Sequence, residues 1–212
     1  MTLPILYSFR RCPYAMRARM VLLHSKIQCE IREITLSSKP KEMLTISPKG
    51  TVPVLILENG DILDESLDVM LWAIEQGNLR NLFNPGKKEI LDLIKINDGE
   101  FKDAIDRYKY SSLYPEKPMI EYRKMGEPFL EKIESYLEKN KFIFGKNISL
   151  ADLAIFPFIR HFCRVDLDWF NSSLFKKIKE WTLFFEGSEN FIDIMRKIKP
   201  WTTGDKPTLF LE

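Results

Sequence analysis

The chain has 212 residues, of which 45% are hydrophobic and 29% charged, and its 32 basic and 30 acidic side chains leave a net charge of +2. That make-up is ordinary for a globular chain with room for one large domain or two small ones. Outside one arginine cluster the two signs are mixed, which speaks against a broad phosphate-binding surface and a nucleic-acid partner. No apolar run reaches the roughly 18 residues that span a bilayer, and no secretory signal pattern opens the sequence, so a cytoplasmic location without a membrane partner is expected.

Residues 3 to 9, LPILYSF, form an apolar and aromatic run suited to a buried strand. After Cys12-Pro13, the apolar residues Met16, Met20 and Leu23 recur at helical spacing. Residues 28 to 34 alternate as a strand, 41 to 47 suit a short helix, and a strand resumes over 52 to 57 with Pro53 near its start. Asn59-Gly60-Asp61 is a hairpin turn signal. Ser66 to Glu75 read as a helix, followed by GNLRNLFNPGKK, which has little periodicity and is the expected domain linker. Beyond it the long segments read as helices, roughly 88 to 112, 118 to 140, 149 to 165, and 171 to 198 with a break near Gly187-Ser188. One helix start is well specified: Ser149 as cap, Asp152 at the third position, and Ile148 with Leu153 at the staple positions. The tail is expected to be extended and packed by Trp201 and Phe210. An alternating α/β domain over residues 1–78 therefore precedes an all-helical domain over 88–212.

Three cysteines, Cys12, Cys29 and Cys163, and two histidines, His24 and His161, lack the spacing of a disulfide framework or a metal site, so free thiols in a reducing compartment and no metal are expected. Cys12 stands apart because four arginines, at positions 10, 11, 17 and 19, surround it in SFRRCPYAMRAR. If Pro13 is the first helical residue, Cys12 is the N-cap and faces unpaired amides at the positive end of the helix dipole. A free thiol is only ~3% ionised at pH 7, whereas such a position with basic neighbours brings its pKa to roughly 3.5–7.5. The bland alternative is an inert buried cysteine beside a solvated arginine face. A redox dithiol needs a second cysteine at position 15, where Ala15 stands, so a disulfide at Cys12 requires an external thiol such as glutathione.

Cys12-Pro13-Tyr14-Ala15, Thr51-Val52-Pro53-Val54-Leu55, Asp64-Glu65-Ser66 and SLADLAIFPF, in this order, resemble the glutathione S-transferases. Within that family they are most similar to the cysteine-type branch with its omega and glutaredoxin-like members, and NDGEFKDAIDRYKY and KPWTTGDKP look like a bacterial group of it. The resemblance implies a thioredoxin-like α/β domain that holds glutathione as cosubstrate, and an all-α C-terminal domain that shapes the second substrate's pocket. It also implies a cis bond before Pro53, pairing of the Val52 backbone with glutathione, a grip on the γ-glutamyl end by Glu65 and Ser66, and Lys39 near the glycyl carboxylate. By residue type alone, Glu65 and Ser66 read equally well as a helix start and Lys39 as a surface lysine.

The expected activity is thiol transfer with Cys12 as nucleophile, reducing glutathionylated or oxidised substrates, in a homodimer as is common in the family. One alternative is conjugation of glutathione to electrophiles, with Tyr7 or Ser8 stabilising its thiolate. Another is a non-catalytic protein that keeps the fold to bind a partner. Phe101, Ile105 and Tyr108, with Tyr110 nearby, read first as helical core and second as lining for the acceptor pocket.

Overall fold

The computed structural model describes residues 3–210 and divides into two compact units. One takes in the chain up to Arg80 and again from Glu189 onward; the other is Asn81–Ser188. No helix among the described residues is long and apolar enough to cross a membrane.

The first unit is built on four strands, β1 (Ile5–Ser8), β2 (Glu30–Glu33), β3 (Val54–Ile56) and β4 (Ile62–Leu63), in the order β2-β1-β3-β4. β1 and β2 run parallel and are joined by α1 (Pro13–His24), as a parallel pair requires a crossover. β3 is antiparallel to β1 with Leu6 opposite Leu55 and Tyr7 opposite Val54, and β4 returns from β3 across the turn at Asn59, Gly60 and Asp61. Three of the four β1 side chains are buried, the mark of a central strand covered on both faces. α2 (Lys41–Ile46) and α3 (Ser66–Gln76) complete this α/β layer, α3 packing on α1. Tyr7, Ala15, Ile34, Met43, Val52 and Val54 form a buried cluster against which Cys12 and Trp201 pack.

The tail belongs to this unit, where the sequence placed residues 189–212 with the helical domain. α10 (Glu189–Ile194) packs on α1, and the segment beyond it runs along the outer side of β2. There the Trp201 amide donates to the Glu33 carbonyl at 2.8 Å, Ile31 to Thr208 at 2.8 Å and Phe210 to Cys29 at 2.9 Å. Those bonds satisfy an edge that would otherwise be open to pairing, a reason invisible in local periodicity.

The second unit contains α4 (Lys87–Ile96), α5 (Lys102–Lys109), α6 (Met119–Leu137), α7 (Leu150–Cys163), α8 (Leu167–Ser172) and α9 (Lys176–Glu186). The helix expected over 88 to 112 is interrupted by a π-helical turn at Asn97–Phe101, and the one expected over 171 to 198 is several shorter helices, with α9 ending at Gly187. Asp152, at the third position of α7, is fully buried and accepts from the Ile143 and Ser149 amides, the Ser149 hydroxyl and the Trp181 indole. The capping residues read from the sequence thus also tie α7 to α9 and to the loop before it.

Candidate functional site

Cys12 sits where β1 gives way to α1. It occupies the N-cap position with extended backbone (φ −76°, ψ 124°), and Pro13 opens the helix, as the sequence predicts. Its amide donates to Phe9 O at 3.0 Å and its carbonyl accepts the first helical bond from Met16 at 2.8 Å. No acidic residue stands in the first turn to offset the positive helix end. Cys12 as a residue is partly exposed, and its thiol donates to the Val52 carbonyl oxygen at 3.6 Å. The Val52–Pro53 peptide is cis.

The arginines around it divide. Arg11 is exposed and Arg10 half-buried, but Arg17 and Arg19 are each only 1% exposed, so α1 does not present them as a solvated face. Arg19 donates to the Ser8 hydroxyl at 2.8 Å and to the Arg10 carbonyl at 2.7 Å, and lies 3.9 Å from the Glu33 carboxylate. Burial lowers its pKa to about 10, against the opposing pull chiefly of Glu33. Glu33 in turn accepts from the Arg10 amide at 2.6 Å, and desolvation raises its carboxyl above the ordinary range despite that bond and Arg19. Arg17 donates from Nε to the Ser66 hydroxyl at 3.0 Å and stacks over the Tyr14 ring, 5.0 Å from its centroid.

Glu65 is the N-cap residue of α3 and Ser66 its first helical residue. The exposed Glu65 carboxylate is held by Lys49 at 2.6 Å, and Lys49 also reaches Asp64 at 3.3 Å, whose other oxygen accepts from the Ser47 hydroxyl at 2.8 Å. Lys49 pulls Asp64 below its ordinary pKa together with the larger effect of the Ser47 bond. Lys39 lies against the loop that leads to Val52, its Nζ 3.6 Å from where a Cβ on Gly50 would stand, and Gly50 takes φ +61°, the left-handed region that favours glycine. Lys49 was not signalled by the sequence, because its pairing partner lies 16 residues away in a non-periodic segment.

Tyr7 and Ser8 are both fully buried. The Tyr7 hydroxyl accepts from Arg32 at 2.7 Å, and its ring meets Trp201 edge-on at 5.9 Å. Phe101, Ile105 and Tyr108 are buried too; Phe101 stacks on Phe129 at 4.4 Å, and Tyr108 contacts Phe162 at 5.0 Å, which makes them core of the helical unit. Cys29 and Cys163 are buried, and desolvation pushes the first to about 12 and the second well above an ordinary thiol.

Residues 6–80 match the model of the glutathione S-transferase N-terminal domain and residues 114–189 that of the C-terminal domain, together more than half of the chain. The chain is similar to glutathione S-transferase omega-1 of Mus musculus, with 27% identity over 164 residues, 76% of this chain and 68% of the relative. It is 30% identical over 152 residues to the probable chloroplastic glutathione S-transferase DHAR2 of Oryza sativa subsp. japonica, covering 71% of this chain and 52% of that one. Among solved structures it shares its fold with a glutathione transferase from Pseudomonas putida that has one glutathione disulfide bound per subunit, at TM-score 0.77 and 16% identity over 92% of this chain and 91% of that one.

Proposed function

This chain belongs to the glutathione S-transferase family, and from that premise we propose that it is a cysteine-type member, a glutathione-dependent thioltransferase in which Cys12 is the nucleophile. The observation that carries the reading is Cys12, a partly exposed residue at the N-cap of α1 with its sulfur beside the Val52 carbonyl and no acidic residue in the helix's first turn.

The thiolate attacks the glutathionyl sulfur of a mixed disulfide, forming a Cys12–glutathione disulfide while the substrate thiolate leaves and takes a proton from water. A second glutathione thiolate then attacks the glutathionyl sulfur, releasing glutathione disulfide and restoring Cys12. The resolving thiol is external because Cys29 and Cys163 are buried with raised pKa values. Glutathione lies with its cysteinyl backbone on Val52, its γ-glutamyl end on Glu65 and Ser66, and its glycyl carboxylate toward Lys39. The chemistry suits a reducing compartment, the cytoplasm, and the acting form is a homodimer.

Conjugation through Tyr7 or Ser8 is disfavoured because both residues are buried and their hydroxyls are bound by Arg32 and Arg19. The deciding experiment compares Cys12→Ser with Tyr7→Phe in reduction of a glutathionylated peptide. Cys12→Ser abolishes the activity and Tyr7→Phe keeps it; the reverse pattern assigns catalysis to Tyr7. A wild-type protein that shows no heat of glutathione binding and no reactive thiol is instead a partner-binding relative.

A further inference from the structure

Where α1 meets α3 a single side chain links the two helices through a hydroxyl. Arg17 is 1% exposed and Ser66 2%, so both ends of the 3.0 Å Nε to Oγ bond are out of water. A guanidinium carries donors and no acceptor, so in this bond the serine oxygen can only accept. A hydroxyl has one proton and two lone pairs, so a serine that accepts from Arg17 keeps that proton to give away. The same oxygen opens α3, where the first-turn amides lack helical partners and the dipole is positive. The positive end of α3 and the Arg17 guanidinium both favour a negatively charged acceptor for that proton.

We infer that Arg17 is a positioning residue which holds the Ser66 oxygen, leaves its proton to donate, and so biases the γ-glutamyl subsite toward an anionic acceptor, the α-carboxylate. This rests on the reading of the site as a glutathione groove. Arg17 acts through Ser66 and does not itself touch the ligand. Glu65 stays outside this device, since its carboxylate is exposed and held by Lys49.

The test is calorimetric titration of the full-length protein with glutathione and with 4-aminobutyryl-cysteinylglycine, which is glutathione without its α-carboxylate. Arg17→Met is expected to weaken glutathione binding by about tenfold while leaving the analogue within about twofold of wild type. Ser66→Ala should do the same, and the double variant should be no weaker than either single one, because the two residues act in series. Arg17→Lys, which keeps a cationic donor, should restore much of the selectivity. Equal weakening of both ligands in Arg17→Met, or multiplied losses in the double variant, overturns the inference and leaves the glutathione site standing. Absence of any glutathione binding by the wild type overturns both. Should Arg17→Met not fold, Ser66→Ala and Arg17→Lys decide: retention of carboxylate selectivity by Ser66→Ala, or its loss in a folded Arg17→Lys, is the contrary result.

Discussion

Arg19 donates from Nη2 to the carbonyl oxygen of Arg10 at 2.7 Å, so a buried cation in the middle of α1 reaches back to hold the loop that carries Cys12. Its Nη1 fixes the end of β1 through Ser8 at 2.8 Å. Arg19→Met takes one of the two arginine charges from the buried Glu33, leaving Arg10, and should lower unfolding stability by about 3 kcal/mol, whereas Arg19→Lys, with a single point charge in place of a fork, should lose roughly half as much. Urea denaturation at pH 7 measures both. An unchanged midpoint in Arg19→Met would show that this clamp contributes nothing.

Thiol chemistry should separate the three cysteines cleanly. Burial holds the protons on Cys29, at about 12, and on Cys163, while Cys12 is partly exposed. Iodoacetamide at pH 7.5 on the folded protein should therefore modify Cys12 at least about a hundredfold faster than the other two, because only the thiolate reacts. Peptide mapping by mass spectrometry reads this directly, and comparable labelling of Cys29 refutes it. Glutathione should slow the modification of Cys12.

Asp152 is expected to be the most sensitive carboxylate in the helical unit. Four donors converge on it, and Asp152→Ala strands them in the interior, which should cost about 3–5 kcal/mol. Asp152→Asn keeps the shape but turns an amide group toward donors, so its loss should be comparable. The readout is the thermal midpoint. A shift of only a degree or two in both variants would mean that these bonds are dispensable.

Acid stability should carry the signature of His161. Burial, with Lys109 and Lys102 nearby, pushes its imidazole down to about 4, and its Nε2 lies 2.7 Å from the Lys109 ammonium. The unfolded chain binds a proton there below about 6.5 and the folded chain does not until about 4, so this contribution is complete above pH 6.5 and lost as pH falls toward 4. Between pH 7 and pH 5 the wild type should lose about 1 kcal/mol more than His161→Gln, after solvent screening of the partly exposed ring. Denaturant midpoints at the two values measure it; parallel losses in both proteins remove the assignment.

Local signals were legible where they were short-ranged. Pro13 after Cys12 specifies the start of α1, and Ser149 with Asp152 specifies that of α7, because capping depends on residues three apart. The same reading offered a solvated arginine face as one alternative for α1. Nothing within one helical turn reveals that Arg17 meets Ser66 49 residues later, or that Arg19 lies beside the Glu33 carboxylate of β2. The pairing of Lys49 with Glu65 escaped for a like reason, and the π-helical turn at Asn97–Phe101 changes hydrogen-bond partners without changing the apolar pattern that a periodicity search detects.

The run of residues 201–210 along β2 means that the α/β unit is not a contiguous stretch of chain. A fragment stopping near residue 80 would bare β2's outer amides and carbonyls and invite strand addition by a neighbouring molecule. Isolating that half in soluble form therefore calls for splicing 189–210 behind residue 80 through a flexible tether, an internal deletion rather than a truncation.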